Sequence, residues 1–373
     1  MAGIQLSVVV MAHPARAAAA ERLRDRYPEL AVRIVYDPEP AGPRSTLRTA
    51  RLAWGAITAG ASHHVVLQDD VELCIDFPAQ LAQAVAAMPD RPFFLYTDWG
   101  TPCSQLLRLA ALRGASWAES IDPYVPTQAV VLPAPMARRL VEYVDGHPDL
   151  EQDDAVVLRL FLEAHDLTAY VCVPNLVDHA GLPSLLSHDV MMGVRRSVCF
   201  GPDPEHPLPW TDAAVTGVGL VPDFVAGRAM CWTRDAGTRP GWTAVGAYDW
   251  LREHGLALPV LTRDFLAAAD ATGSRPGGHD FLGDALLFQL WMTGLLYGIA
   301  MATWKDLDPH QVTAAAARPL AVRGLSTLVG GGLREIVAPH QIGPVSAQLT
   351  PLFVHALHQG LRLNAGRGML DTL

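Results

Sequence analysis

The sequence predicts an α/β protein: a mainly parallel sheet with helices on both faces, followed by a C-terminal α-helical domain. Three observations predict it. Apolar, strand-like runs alternate with helix-forming segments over the first 180 residues. A Pro-rich stretch, GPDPEHPLPW at 201–210, then breaks the alternation. Beyond it the pattern is mostly helical. The expected organisation is a sheet domain over 1–200, a linker at 201–210 and a helical domain over 211–373. Half of the 373 residues are hydrophobic and 18 % are charged, which suffices for two packed cores.

QLSVVVMA (5–12) is rich in β-branched residues and reads as a buried strand. Pro14 suits a helix start, where its missing N–H is not needed, and the Ala/Arg/Glu stretch to about Tyr27 is helix-forming. Val32 to Tyr36 reads as a second strand, closed by Asp37-Pro38. Ser45 is placed to cap a helix running to about Ala59, with Gly60 as its stop. HHVVLQDD (63–70) is a short buried strand ending in acid. Helix over 78–88, strand over 92–96, strand over 128–133, helices over 136–144 and 153–164 and strand over 168–174 complete the alternation. In such sheets ligands sit at the carboxyl ends of strands, which singles out His13, Asp37, Asp69 and Asp70. Helical patterns follow at 242–254, 261–271, 280–303, 314–328 and 347–361.

The formal charge of −10 and the lack of any Lys/Arg run exclude a nucleic-acid-binding footprint. The five cysteines are widely spaced, as expected of reduced thiols in the cytoplasm, and the N-terminal run reads as a strand rather than a leader. Ala285 to Ala302 carries no charge and nears spanning length. Gly294, Gly298 and Ala302 share one face of it, as in close helix packing, so a buried helix is expected, with a membrane anchor for the transferase as the alternative.

Four clusters can carry chemistry. The strand end Gln68-Asp69-Asp70 delivers adjacent carboxylates, whose repulsion calls for a cation or a hydrogen-bond network; a loop-capping acid pair is the plainer alternative. Asp153-Asp154 opens a helix, either complementing its dipole or offering a general base. His179, in NLVDHAGLPSLL, follows a strand; it is a metal or phosphate contact, or a hydrogen-bonded structural histidine. Arg195-Arg196 can neutralise a diphosphate or be a solvated pair. Arg44, Arg48 and Arg51 recur at helical spacing, again facing either a diphosphate or solvent.

Taken in order, these features resemble GT-A glycosyltransferases of the family 2 and family 25 kind, and most closely a group of small actinobacterial glycosyltransferase-like proteins. The resemblance covers about residues 5–200. It is carried by His13-Pro14, the arginine-bearing helix ending in Ala53-Trp54, the LQDD strand end, Asp153-Asp154, and NLVDHAGLPSLL followed by Gly193-Val194-Arg195-Arg196. It implies a nucleotide-diphospho-sugar donor and a divalent Mn²⁺ or Mg²⁺ ion held by Asp70 and His179. Asp69 would contact the ribose or support the metal ligand from behind, Asp37 would be a base contact, and Asp153 or Asp154 the acceptor-side base. His13, Arg44, Arg48, Gln68, Arg195 and Arg196 would complete the donor site. Gln68 departs from the family's acidic motif, which puts an acid in that place. The implied acceptor is a small molecule, glycan or peptide, in natural-product or polysaccharide biosynthesis. The alternative is a catalytically degenerate GT-A fold that binds a nucleotide or a partner.

There is no P-loop, no GxGxxG after the first strand and no GxSxG. Ser184 and Ser187 beside His188 lack a group to orient the histidine. In the C-terminal half, Gly278-His279-Asp280 and Asp308-Pro309-His310 read as helix starts, and Trp232, Trp242 and Trp250 as core or an acceptor pocket. This domain is expected to hold the acceptor, form a homodimer or dock a partner.

Overall fold

A computed structural model describes residues 3–147, 149–150, 153–185, 189–203, 205, 209–234, 241–274, 282–302, 314 and 316–367. Ser187, His188, Gly278-His279-Asp280 and Asp308-Pro309-His310 lie outside the described residues. The chain divides into two compact units. The first comprises 1–98, 115–188 and 199–214; the second comprises 99–114, 189–198 and 215–373. The segment expected as a linker, 201–210, thus counts with the first unit. Two pieces of the first 200 residues count with the second.

The first unit is an α/β layer structure around a mixed sheet. Its strands are β1 (Leu6–Ala12), β2 (Arg33–Tyr36), β3 (His63–Gln68), β4 (Val71–Leu73), β5 (Phe93–Phe94), β6 (Trp117–Glu119), β7 (Ala129–Pro133), β8 (Tyr170–Cys172), β9 (Val177–His179) and β10 (Ala214–Val215). The main sheet has the order β10-β6-β8-β5-β7-β3-β1-β2. β1 pairs parallel with β2 and β3; β7 runs against β3 and β5; β8 is parallel to β5. So β1, β2, β3, β5 and β8 point one way, and β7 and β6 oppose them.

Helices cover both faces of this sheet. α1 (Ala17–Arg26) and α3 (Phe77–Ala87) bury Ala20, Leu23, Leu81 and Val85 in one cluster with Val8, Val10, Val65 and Leu67. Side chains alternate along a strand, so Ser7, Val9 and Met11 of β1 and His64, Val66 and Gln68 of β3 face the other way. There α2 (Thr46–Gly55) lies, and the Ala53 carbonyl meets Nε2 of buried His64 at 2.8 Å. α5 (Ala134–Asp145) and α6 (Asp154–Ala164) pack against α2. Ser45 caps α2 as its residue type predicts, accepting the Arg48 N–H at 3.1 Å. The helix stops at Gly55 rather than near Ala59.

The second unit contains α4 (Pro102–Arg113), α7 (Asp189–Met192), α8 (Ala247–Glu253), α9 (Leu258–Thr272), α10 (Asp284–Ala302), α11 (Pro319–Leu333) and α12 (Pro339–Arg367). It also holds an antiparallel sheet of β11 (Leu220–Val225), β12 (Arg228–Arg234) and β13 (Trp242–Gly246). The helix expected over 242–254 is therefore β13 followed by α8. Trp242-Thr-Ala-Val is strand-forming chain, and β12 supplies the pairing edge.

α10 is, among the described residues, the helix long and apolar enough to cross a bilayer, and 72 % of its most apolar window is buried inside the protein. Gly294 and Gly298 let it approach α12: a methyl on either would run into the backbone carbonyls of Phe353 and Leu357. All five cysteines are free and buried. Trp250 is buried and stacks on His254, Trp242 lies under the Arg234 guanidinium, and Trp232 donates to Asp223.

Candidate active site

From β1 the chain goes to one side to form β2 and then to the other to form β3. Open α/β sheets bind ligands at such a reversal, here beyond the carboxyl ends of β1 and β3. His13 follows β1, Asp37 follows β2, and Asp69-Asp70 follow β3. The Asp37 N–H donates to the Ala12 carbonyl at 2.9 Å, which holds the first two of these strand ends together.

Asp69 and Asp70 are nearly buried, each 7 % exposed. Their charges meet Arg16, in the turn between β1 and α1. Its Nη1 lies 2.9 Å from Asp69 Oδ1 and 2.8 Å from Asp70 Oδ2. Its Nη2 donates to the Pro183 carbonyl. The second Asp69 oxygen accepts the His13 N–H at 2.8 Å. The ladder between β4 and β9 sets Val71 opposite His179 and so brings the imidazole to Asp70. Nε2 stands 3.5 Å from Asp70 Oδ2, an electrostatic contact more than a full hydrogen bond. The Gly181 N–H donates to Nδ1 at 2.9 Å, so Nδ1 presents its lone pair and Nε2 carries the proton. Asp70 Oδ1 is buried with no hydrogen-bond partner.

The two carboxylates titrate apart. Burial pushes Asp69 up, and the Arg16 and His13 donors only partly offset it. Burial also works against ionised Asp70, but His179 and Arg16 outweigh it and hold Asp70 down at about 2.

A second polar group reaches the same strand end from the α2 face. Gln68 donates from Nε2 to Thr127 Oγ1 at 3.3 Å, and the Thr127 hydroxyl in turn hydrogen-bonds the Asp154 carboxylate. The Thr46 hydroxyl also bonds that carboxylate and accepts the Asp154 N–H at 3.0 Å. Asp154 Oδ2 is buried without a partner, and burial raises its pKa. The Oε1 of Gln128, whose carbonyl receives the Gln68 N–H, is likewise buried and unpartnered. Asp153 is the N-cap of α6, accepting the N–H groups of Ala155 and Val156 at 2.9 and 3.2 Å.

The remaining expected residues are placed differently. Asp37 and Arg48 engage each other through two bonds of 2.8 Å, and Arg48 also donates to the carbonyls of Pro43 and Glu39. That pair fastens the loop at 37–43. His13 takes the Ala15 N–H on Nδ1 and lies 3.4 Å from the Pro40 carbonyl through Nε2. Arg44 stands exposed just before α2. Arg195 and Arg196 belong to the second unit, where Arg195 pairs with Asp189 at 3.1 Å and the Arg196 carbonyl accepts the Trp99 N–H. Arg16 is the site residue that sequence reasoning missed. Its only local signal is a basic residue at the start of an alanine-rich helix.

The donor set does not fit a divalent ion as it stands. Asp69 Oδ1 and Asp70 Oδ2 are taken by Arg16, Asp69 Oδ2 by a backbone N–H, and His179 Nε2 presents a proton rather than a lone pair. Among the described residues no group of three His, Cys, Asp or Glu is gathered for a metal. The chain matches no protein-family model and no curated protein sequence.

Proposed function

We propose that the first unit is a glycosyltransferase of the GT-A kind, moving a sugar from a nucleotide-diphospho-sugar to an acceptor hydroxyl or other nucleophile. The observation that carries this reading is the pair of buried carboxylate oxygens without partners: Asp70 Oδ1, just past β3, and Asp154 Oδ2, whose carboxylate is linked through Thr127 to Gln68 at the end of the same strand. A buried acceptor left unpaired costs free energy, so such atoms mark where a ligand donates. Two of them call for a ligand with several O–H donors, as ribose, a donor sugar and its acceptor have.

The chemistry follows from the placement. The acceptor oxygen attacks the anomeric carbon, and the bond from that carbon to the diphosphate breaks, its electron pair leaving with the diphosphate. Asp154 takes the acceptor proton. Its raised pKa suits a base, because a carboxylate reluctant to ionise binds a proton more strongly. Asp70 orients a hydroxyl. Arg44, exposed just before α2, meets the developing phosphate charge. Asp153 acts as a helix cap. A divalent ion at Asp70 and His179 would require Arg16 to withdraw and His179 to exchange tautomer, so no step is routed through one. The second unit is assigned acceptor or partner binding, including pairing with a second copy.

A second reading is favoured by one feature: Arg16 closes on both strand-end carboxylates, and Gln68 stands where the family has an acid. The fold would then bind a nucleotide or partner without turnover. Thermal unfolding of the chain against UDP-, GDP-, TDP- and ADP-sugars, with and without Mn²⁺, tests donor binding, because a ligand of the folded state raises its stability. A shift with release of nucleoside diphosphate upholds the transferase. A shift without release, across acceptor mixtures, upholds the binding protein. No shift with any donor overturns the transferase and leaves the partner-binding form of the second reading.

A further inference from the structure

We infer that Arg16 takes the place of the divalent cation at the acidic strand end, so that this site engages its ligand without metal. The identity of that ligand rests on the transferase reading; the exclusion of metal rests on geometry alone.

Two adjacent carboxylates at a strand end repel each other unless a cation lies between them. Here one guanidinium nitrogen bridges them at 2.9 and 2.8 Å, where a metal would otherwise bind. The other end of the guanidinium is fixed on the Pro183 carbonyl, so the group is anchored on both sides. Its side chain is only 12 % exposed, so solvent screens the pairs little. A hard divalent ion that carries substrate phosphates is held by one or two carboxylates of the protein, whose oxygens must be free to enter its shell. Asp70 Oδ1 is the one strand-end carboxylate oxygen without a hydrogen bond. His179 is oriented against metal by the Gly181 N–H, which fixes the proton on the nitrogen facing Asp70. Arginine also cannot be deprotonated under ordinary conditions, so the bridge persists across the pH range in which enzymes work.

Manganese binding to the full chain, followed by the electron paramagnetic resonance of free Mn²⁺, tests this directly. The wild type is expected to bind no Mn²⁺ at millimolar concentration. Arg16→Ala frees Asp69 Oδ1 and Asp70 Oδ2 and is expected to tighten Mn²⁺ binding about tenfold or more, as for removal of a competing cation. Adding Asp70→Asn should abolish that gain. Arg16→Lys keeps a positive charge at the pair and is expected to stay free of metal. Circular dichroism checks that each variant is folded. Wild-type Mn²⁺ binding at or below millimolar concentration overturns the inference, and that measurement needs no variant. A folded Arg16→Ala with no gain also overturns it. A donor-induced thermal shift that persists in EDTA supports it. A shift appearing only with Mn²⁺ overturns it while leaving the transferase reading intact, and no shift in either condition defeats the transferase reading instead.

Discussion

Each unit buries a cluster of charged residues, and the two clusters are finished differently. In the second unit Arg108 is fully buried and every donor is used. It bonds the carbonyls of Gly324 and Trp99, Ser104 Oγ, Gln105 Oε1 and Thr327 Oγ1. Asp223 accepts Gln105 Nε2, the Phe224 N–H and Trp232 Nε1, at 2.8, 2.8 and 2.9 Å. In the first unit Arg16 makes three hydrogen bonds, and Asp70 and Asp154 each keep a buried oxygen unpaired. A closed network rigidifies a core. An open one holds desolvated groups ready for a ligand, at a standing cost in stability.

The sharpest test of this contrast is Asp154→Asn. Transfer should fall about 10²- to 10⁴-fold as the base is lost. Stability at neutral pH should rise, because the neutral amide removes a buried charge whose ionisation the fold resists. A rise of about 2–4 °C in Tm corresponds to about 1 kcal/mol in a unit of this size. A lower Tm would mean that the carboxylate is structurally satisfied, and the contrast would fail.

Arg108→Ala should do the opposite. It removes five hydrogen bonds and opens a buried gap, so about 3–5 kcal/mol of stability should be lost in urea unfolding. A loss under about 1 kcal/mol would show that the network is not what holds the second core.

The next effect is in acid. Asp70 ionises at about 2 in the folded chain against 3.8 in the unfolded one. A lowered folded value contributes stability that is fully present above the unfolded pKa and lost as pH falls towards the folded one. Unfolding free energy should therefore drop by about 2 kcal/mol between roughly pH 4 and pH 2. Asp70→Asn should flatten that part of the profile; an unchanged slope would remove Asp70 from the ion cluster. Asp69 and Asp154, shifted upward, work in the opposite sense and leave the net curve shallower.

The smallest expected effect is at Arg48. Arg48→Ala should speed proteolytic cleavage within 37–43 and leave the Tm almost unmoved, since the residue ties down a surface loop. A large fall in Tm would place that ion pair in the core instead.

Legibility followed locality. β1 and β3 could be read because an unbroken β-branched run needs no partner to be recognised, and the Ser45 cap because its residue type acts within three positions. α4 was passed over. Its residues from Cys103 to Leu112 are all buried, including Ser104, Gln105 and Arg108, so no polar face marks it as a surface helix. β13 was read as helix because its pairing edge lies elsewhere in the chain. Within the site, Asp69, Asp70 and His179 were legible as types at strand ends. Arg16 was not, because its partners lie 53 and 54 residues away. Asp37 and Arg48 were both expected to face a nucleotide, and folding spends them on each other.

By itself the sequence determined that strands and helices alternate, that acid sits where strands end, and which residues start the helices. These depend on side-chain branching, periodicity and capping, all of which act over a few residues. The tertiary structure alone decided that a guanidinium bridges the acid pair, that His179 turns a proton towards it, and that Asp154 is buried while Asp153 caps. Those outcomes depend on burial and on partners distant in the chain. Desolvation and Coulomb energy are set by distances that only the closed sheet defines.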